Sequence, residues 1–303
     1  MVSFKNVIEN KPDAQFPPEK GRYHLYISLP CPFANRVWMT LKFKGLEDFV
    51  GLTITHPVMQ RTRPDDESDQ HKGWKFDVDG EFPGTSPDPI HGAKYVRDLY
   101  ERVTKEKITY SVPLLWDKKT DTIVSTESAD MVRMFNEAFN DLNSSDVDLY
   151  PKALREKIDE ANSWLDESLM ASTFKAGFAK TPEEREAALK DLYDGLDRVE
   201  EILSKQRYIA GNLFTESDMR AFTVLLRIDI FWVPLFKLPK RVAEYPNALN
   251  FVRDIYQRPG VKDTIDFEQF RISGTHAPYN YDNIQVELPS VDYSAPHDRA
   301  RFE

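Results

Sequence analysis

The sequence contains a single cysteine, Cys31, among its 303 residues. One thiol excludes an internal disulfide framework and is typical of a reducing compartment, so we expect a cytoplasmic protein. No run approaches the roughly 18 consecutive apolar residues that a membrane helix requires. Residues 1–16 also lack the apolar core of a signal peptide. We therefore expect neither secretion nor an interaction with a membrane.

Positive charge is also scarce, with 40 Lys and Arg against 50 Asp and Glu and a formal net charge of −10. Nucleic-acid binders need a basic surface to displace counterions, so we do not expect that class of partner. The six histidines are scattered, without ligand spacing to one another or to the cysteine, and predict no metal site. Glycine-rich phosphate loops and the Gly-x-Ser-x-Gly nucleophile motif are absent.

Hydrophobic periodicity in the first half of the chain predicts an α/β domain. The predicted elements are a strand at 23–29, a helix at 32–43, a strand at 51–55, a helix at 91–103, strands at 112–116 and 122–124, and a helix at 127–139. This order of βαβ, helix and ββα is that of a thioredoxin-like domain. Ser125 or Thr126 is the predicted N-cap of the last helix. The polar segment 60–92 is predicted to be an irregular insertion.

The second half has only helical periodicity. Thr181-Pro182 and the capping box Thr215–Asp218 are strong helix starts. Four regions are therefore predicted, which are an N-terminal arm at 1–20, a thioredoxin-like domain at 21–140, an all-helical domain at 150–272 and a tail at 273–303.

Cys31 stands between a predicted strand and Pro32, at the start of a predicted helix. The partial positive charge at a helix N-terminus favours a thiolate, so Cys31 is a candidate nucleophile, although a lone cysteine is usually a small buried hydrophobic residue. Arg36, one turn further on, is expected to add to this field. Ala34 occupies the position of a resolving thiol, so an external thiol must clear any mixed disulfide on Cys31. Glutathione is the abundant cytosolic thiol and the expected co-substrate.

Two later segments predict a binding site for a cysteinyl peptide. Pro113 suits the edge of an ordinary strand, but in a thioredoxin-like domain it predicts a cis bond after Val112, whose backbone could then pair with a cysteinyl peptide. Glu127 and Ser128 lie at a predicted helix start, where N–H groups and the Ser128 hydroxyl would receive a carboxylate and Glu127 an α-ammonium group. Alone, this is an ordinary helix start. Together with Cys31 it describes a site for γ-glutamyl-cysteinyl-glycine.

A set of motifs in fixed order extends over nearly the whole chain. They are Arg22–Arg36 around Ser-Leu-Pro-Cys-Pro-Phe, Gly73-Trp74-Lys75-Phe76, Val112–Asp117, Glu127-Ser128, Phe174-Lys-Ala-Gly-Phe178, Tyr208–Asp218 and Asp254–Gly260. This set resembles the glutathionyl-hydroquinone reductases, the Xi-class glutathione transferases, which are related to the omega class. The resemblance implies the glutathione-transferase architecture, an α/β thioredoxin-like domain followed by an all-α domain, and a homodimer.

The resemblance also implies a reaction. Cys31 would take the glutathionyl group from a glutathionyl-quinol and release the free quinol, and a second glutathione would then release Cys31 by forming oxidised glutathione. The residues implied to contact glutathione are Phe33, Trp74, Val112, Pro113, Glu127 and Ser128.

The acceptor side departs from the family. Phe174 stands where a tyrosine is expected, and Arg271–His276 replaces a His-Tyr-Tyr run. A phenol can hydrogen-bond a quinol oxygen and stabilise charge on it, whereas phenylalanine cannot. Phe174, Arg271 and Trp232 are the candidate acceptor residues, although the apolar run around Trp232 also suits a core. Tyr279 and Tyr281 of the tail are further candidates that nothing in the sequence places.

Two alternatives therefore stay open beside a quinol-conjugate reductase. An omega-like enzyme that reduces dehydroascorbate or small disulfides would share the first chemical step and differ in its acceptor. A glutathione-coupled carrier would bind apolar ligands with little turnover, as the loss of the family tyrosines suggests.

Overall fold

The computed structural model describes residues 4–143 and 145–302, which separate into two units. The first unit comprises the residues up to Val147 together with His276–Tyr279. The second comprises Asp148–Thr275 and the chain from Asn280 onward. A short segment that follows the last long helix of the chain thus belongs to the same unit as Cys31.

The first unit is built around a mixed four-stranded sheet. Its elements are β1 (Tyr23–Ile27), α1 (Pro32–Lys44), β2 (Val50–Ile54), β3 (Met59–Arg61), β4 (Lys72–Trp74), α2 (Val96–Val103), β5 (Leu114–Asp117), β6 (Thr122–Ser125) and α3 (Ser128–Glu137). The strand order is β2–β1–β5–β6, with β1 parallel to β2 and antiparallel to β5, and β5 antiparallel to β6. This arrangement confirms the predicted thioredoxin-like domain.

All five residues of β1 are buried, as expected for a central strand whose sheet is covered on both faces. The alternation of Leu25 and Ile27 therefore describes only one of two buried faces. On the strand's polar positions, the hydroxyl of Tyr26 donates to Asp88 at 2.6 Å, and the ring of His24 contacts the Thr53 hydroxyl at 2.8 Å. These bonds satisfy polar groups that burial would otherwise leave unpaired.

The predicted start of one helix and the predicted N-cap of another are wrong. Helix α2 begins at Val96 rather than near His91, because the Asp88 carboxylate accepts the N–H groups of the chain just after it and holds a turn there. Helix α3 begins at Ser128 with Glu127 as its N-cap, not Ser125 or Thr126. Ser125 is instead the last residue of β6.

The segment 60–92 is also more regular than predicted. Strands β3 and β4 pair antiparallel within it and form a hairpin. Its tip is tied to α2 by ion pairs from Arg97 to Asp69 at 2.5 Å and from Arg63 to Asp98 at 2.8 Å. The hairpin therefore has a fixed position on the unit that carries α2.

The N-terminal arm lies along the outer edge of β6. The backbone N–H of Asn6 donates to the carbonyl of Val124 at 3.1 Å, and that of Thr126 donates to the carbonyl of Phe4 at 3.0 Å. Between them, Lys5 pairs antiparallel with Ser125. The arm thus covers the backbone groups of a strand that would otherwise be a free sheet edge.

The second unit is helical. Its helices are α4 (Arg155–Leu165), α5 (Ser172–Phe178), α6 (Pro182–Lys205), α7 (Glu216–Arg227), α8 (Val233–Phe236), α9 (Pro246–Tyr256) and α10 (Phe267–Thr275), with π-helical turns at Asp166–Ala171 and Ile228–Trp232. The predicted capping box Thr215–Asp218 is present at the start of α7. Arg299 of the tail is buried and donates to the carbonyls of Leu203 and Arg207, at and just beyond the end of α6. None of the helices between residues 4 and 302, residue 144 aside, is long and apolar enough to span a membrane.

Candidate active site

Cys31 occupies the N-cap position of α1. Strand β1 ends at Ile27, a turn follows in which the N–H of Cys31 donates to the Ser28 carbonyl at 3.1 Å, and Pro32 fixes the first helical residue. The side chain is only partly buried. A half-buried sulfur at this end of a helix meets the partial positive charge that favours a thiolate.

The Val112–Pro113 bond is cis, as predicted. The Sγ atom of Cys31 lies 3.4 Å from the Val112 carbonyl oxygen, to which the thiol donates. The segment before Val112 is held by the hydroxyl of Tyr100, which donates to the Ser111 carbonyl at 2.9 Å. The structure therefore brings the candidate nucleophile and the backbone of the Val112–Pro113 segment together.

Arg36, on α1, reaches the start of α3. Its guanidinium donates to the hydroxyl oxygen of Ser128 at 3.0 Å from Nε and 2.6 Å from Nη2, and it lies 5.3 Å from the ring centre of Phe33. The guanidinium is thus directed at the start of α3. Because the Ser128 oxygen accepts from Arg36, its own O–H is oriented as a donor. A cation and a hydroxyl donor together beside a helix N-terminus suit a carboxylate.

Trp74 is the last residue of β4 and is half-buried. It pairs with Met59 across the hairpin, whose tip is anchored to α2 as described above. The segment that was predicted to be an irregular insertion therefore contains an ordered hairpin with Trp74 at its base.

The comparisons with known proteins agree with one another. Residues 30–138 match the family model for the glutathione S-transferase N-terminal domain, and residues 182–254 match that for the C-terminal domain. Glutathionyl-hydroquinone reductase YqjG of Escherichia coli is 40% identical over 94% of this chain and 84% of its own length. The chain belongs to the Xi class of glutathione transferases, like solved relatives of that class at 33% and 39% identity.

Two solved structures extend this result. The glutathione-bound structure of Escherichia coli YqjG has a TM-score of 0.90 at 37% identity and covers 98% of this chain and 96% of its own. The Xi-class glutathione transferase of Natrialba magadii has a TM-score of 0.91 at 33% identity, covering 99% of this chain and 92% of its own.

The candidate acceptor residues of this Xi-class transferase lie in the helical unit. Phe174 is half-buried on α5 and contacts Trp232 edge-on, with ring centres 5.3 Å apart. Trp232 itself is buried, which favours the core interpretation of its apolar run. Arg271, on α10, donates to Glu268 at 2.9 Å on the same helix. The first two residues are thus in contact, whereas Arg271 is engaged by a neighbouring carboxylate.

Tyr279 and Tyr281 have different surroundings. Tyr281 is 80% exposed, whereas Tyr279 is half-buried and belongs to the same unit as Cys31. Burial raises the pKa of Tyr279 to about 12, and the nearby Cys31 adds to this rise. The adjacent Asn280 fixes the segment, because its side-chain amide donates to the Ile284 carbonyl at 2.7 Å and accepts the Ile284 N–H at 2.9 Å.

Sequence reasoning missed the role of Arg36 at Ser128 and could not choose between the two tail tyrosines. The first contact joins α1 to α3 and depends on the tertiary fold. For the choice between the two tyrosines, a local signal was the asparagine next to Tyr279, because asparagine stabilises turns through its side chain. Within the described ranges 4–143 and 145–302, no group of three or more His, Cys, Asp or Glu side chains is placed to hold a metal ion.

Proposed function

We propose that this Xi-class transferase removes glutathione from glutathionyl-quinols or related conjugates through a mixed disulfide on Cys31. The observation that carries the proposal is the position of the Cys31 sulfur, at the N-terminal end of α1 and 3.4 Å from the Val112 carbonyl oxygen. The thiol donates to that carbonyl in the resting site, and the helix end favours the thiolate that forms when the proton is lost. The neighbouring backbone offers an extended segment against which a cysteinyl peptide can pair.

The reaction has two steps. The Cys31 thiolate attacks the sulfur of the conjugate, an S–S bond forms, and the C–S bond breaks with its electron pair moving to the quinol ring, which then takes a proton. A second glutathione, as its thiolate, attacks the mixed disulfide, which releases oxidised glutathione and restores the Cys31 thiolate. The conjugate is thereby reduced by two electrons, and two glutathione sulfurs are oxidised.

Glutathione is proposed to contact the Val112–Pro113 segment and the start of α3. Val112 and Pro113 would hold its cysteinyl backbone, and Ser128, oriented by Arg36, would donate to the α-carboxylate of its γ-glutamyl group. Glu127, at the N-cap of α3, would accept the α-ammonium group. Phe33 and Trp74 would border the ligand. A relative whose structure is known with glutathione bound supports this class of ligand.

Tyr279 is the proposed donor toward the acceptor. Its high pKa keeps the phenol protonated at neutral pH, so that it can donate a hydrogen bond to a quinol oxygen as charge develops there. The Tyr279 phenol would thus donate the hydrogen bond that the side chain of Phe174 cannot make.

We further propose a cytoplasmic homodimer. The single cysteine and the family resemblance support this assignment. Light scattering that gives the mass of one chain at micromolar concentration would contradict the dimer.

A steady-state comparison of three substrates tests the proposed reaction. We expect the purified protein to turn over glutathionyl-menadione with the highest kcat/KM, ahead of hydroxyethyl disulfide and dehydroascorbate. Activity confined to the last two substrates would favour the omega-like alternative. Negligible turnover of all three together with micromolar binding of apolar ligands would favour the carrier.

A further inference from the structure

Lys5 is held at a defined place by the N-terminal arm. Its backbone pairs antiparallel with Ser125, between the two arm hydrogen bonds made by Asn6 and Phe4. Phe4 is buried and contacts the ring of Tyr100 edge-on, with ring centres 6.0 Å apart. Because side chains alternate along an extended segment, a buried Phe4 directs Lys5 toward solvent.

The Lys5 ammonium lies beside the carboxylate of Glu127. The Nζ atom is 3.7 Å from Oε1, and the two side chains are 62% and 45% exposed. An ion pair this exposed contributes little to the free energy of folding. The ion pair instead affects the charge around Glu127. It places a positive charge next to the carboxylate that is proposed to accept the α-ammonium group of glutathione.

The γ-glutamyl group carries an ammonium and a carboxylate on the same carbon atom. Glu127 alone would attract any cationic amine, including ligands without a carboxylate. A lysine ammonium next to Glu127 weakens that attraction, and it offers a partner to the carboxylate that must accompany the amine of a true γ-glutamyl group.

We propose that Lys5 is a specificity-determining residue that contacts the α-carboxylate of the γ-glutamyl group. This inference rests on the proposed function, since it uses Glu127 and Ser128 as the γ-glutamyl subsite. Lys5 and the Ser128 end of α3 would approach the carboxylate from different elements, the arm and the helix. The arm, which the sequence presents as a mere extension, thereby becomes part of the binding site.

The test compares Lys5→Gln with Lys11→Gln. Lys11 lies on the same arm, is 67% exposed and pairs with Glu9 at 2.7 Å, so its replacement controls for loss of one surface charge. Each variant is titrated with reduced glutathione and with 4-aminobutanoyl-cysteinyl-glycine, which keeps the amine and lacks the α-carboxylate. KM and kcat for glutathionyl-menadione are measured in parallel.

For Lys5→Gln we expect a 2- to 5-fold weaker affinity for glutathione and a similar rise in KM, roughly the effect of one exposed ion pair, with kcat retained. Lys11→Gln should match the unmodified protein. The analogue should bind Lys5→Gln at least as tightly as the unmodified protein. An equal loss of affinity for both ligands, or no loss for glutathione, would overturn the inference.

The outcomes separate this inference from the proposed function. If the unmodified protein neither binds glutathione nor turns over its conjugates, the proposed function fails. If it does both and Lys5→Gln behaves like Lys11→Gln, only the role of Lys5 fails.

Discussion

Tyr279 brings an aromatic hydroxyl to the unit that contains Cys31, in a chain where phenylalanine occupies position 174. Burial and the electrostatic influence of Cys31 both raise the pKa of its phenol. Tyr281, two residues further on, is exposed to solvent. The two tyrosines therefore form a natural pair of test and control positions.

Tyr279→Phe is expected to lower kcat for glutathionyl-menadione by roughly 100- to 1000-fold, the range expected for losing one donor to developing charge. Turnover of hydroxyethyl disulfide should change little, because a thiolate leaving group needs less assistance. Steady-state kinetics of Tyr279→Phe and Tyr281→Phe on both substrates provide the measurement. Equal losses on the two substrates would show that Tyr279 only supports the structure.

The pH dependence gives a second readout on Tyr279. Because its pKa is raised to about 12, the phenol keeps its proton through the neutral and moderately alkaline range. Ionisation of Tyr279 should therefore not limit kcat below pH 10. An alkaline loss of activity between pH 8 and 10 that disappears in Tyr279→Phe would be inconsistent with this environment.

Helix α7 begins with a buried capping box whose carboxylate accepts three hydrogen bonds. The Asp218 carboxylate accepts from the backbone N–H groups of Ile209 and Thr215, each at 2.7 Å, and from the Thr215 hydroxyl at 3.1 Å. Side chains and backbone at this helix start are buried. Removing the carboxylate would leave backbone donors unpaired away from water.

Asp218→Ala is therefore expected to lower the free energy of unfolding by roughly 3 kcal/mol, from buried donors left without an acceptor. Thr181→Ala, at the exposed start of α6, removes a cap that accepts the Glu184 N–H at 3.2 Å and should cost about 1 kcal/mol. Chemical denaturation of both variants provides the comparison. A similar decrease in the free energy of unfolding for the two variants would contradict the claim that burial makes the Asp218 cap the more stabilising one.

The sign of the pH effect follows from the same burial. Burial raises the pKa of Asp218 to about 7, so between about pH 4 and 7 the folded chain holds a proton that the unfolded chain has released. The contribution of Asp218 to stability should thus fall as the pH rises through this window. We expect Asp218→Ala to be more destabilising at pH 5 than at pH 8.

Local signals in the sequence identified most elements of the fold. Pro32 and Gly45 mark the two ends of α1, because proline suits the first helical position and Gly45 adopts a φ of 62° that glycine accepts without strain. The start of α2 was wrong since Asp88, outside the periodic segment, holds a turn that the helical pattern does not reveal. Boundaries set by such side-chain bonds are not visible in hydrophobic spacing.

The residues of the candidate site also differ in whether the local sequence indicates them. Cys31, the cis bond before Pro113 and the start of α3 near Glu127 each had a sequence signal of their own. The contacts of Arg36 with Ser128 and of Lys5 with Glu127 had none, because each joins elements that only the sheet and its helices bring together. Reasoning from sequence thus finds the residues that carry chemistry more readily than those that position them.

The most direct test of the account is the intact mass of the protein after incubation with oxidised glutathione. We predict one glutathionyl adduct per chain, formed on Cys31, removed by excess reduced glutathione and absent from Cys31→Ser. The absence of an adduct on the unmodified protein at both neutral and alkaline pH would contradict a reactive Cys31 thiolate and the mechanism built on it.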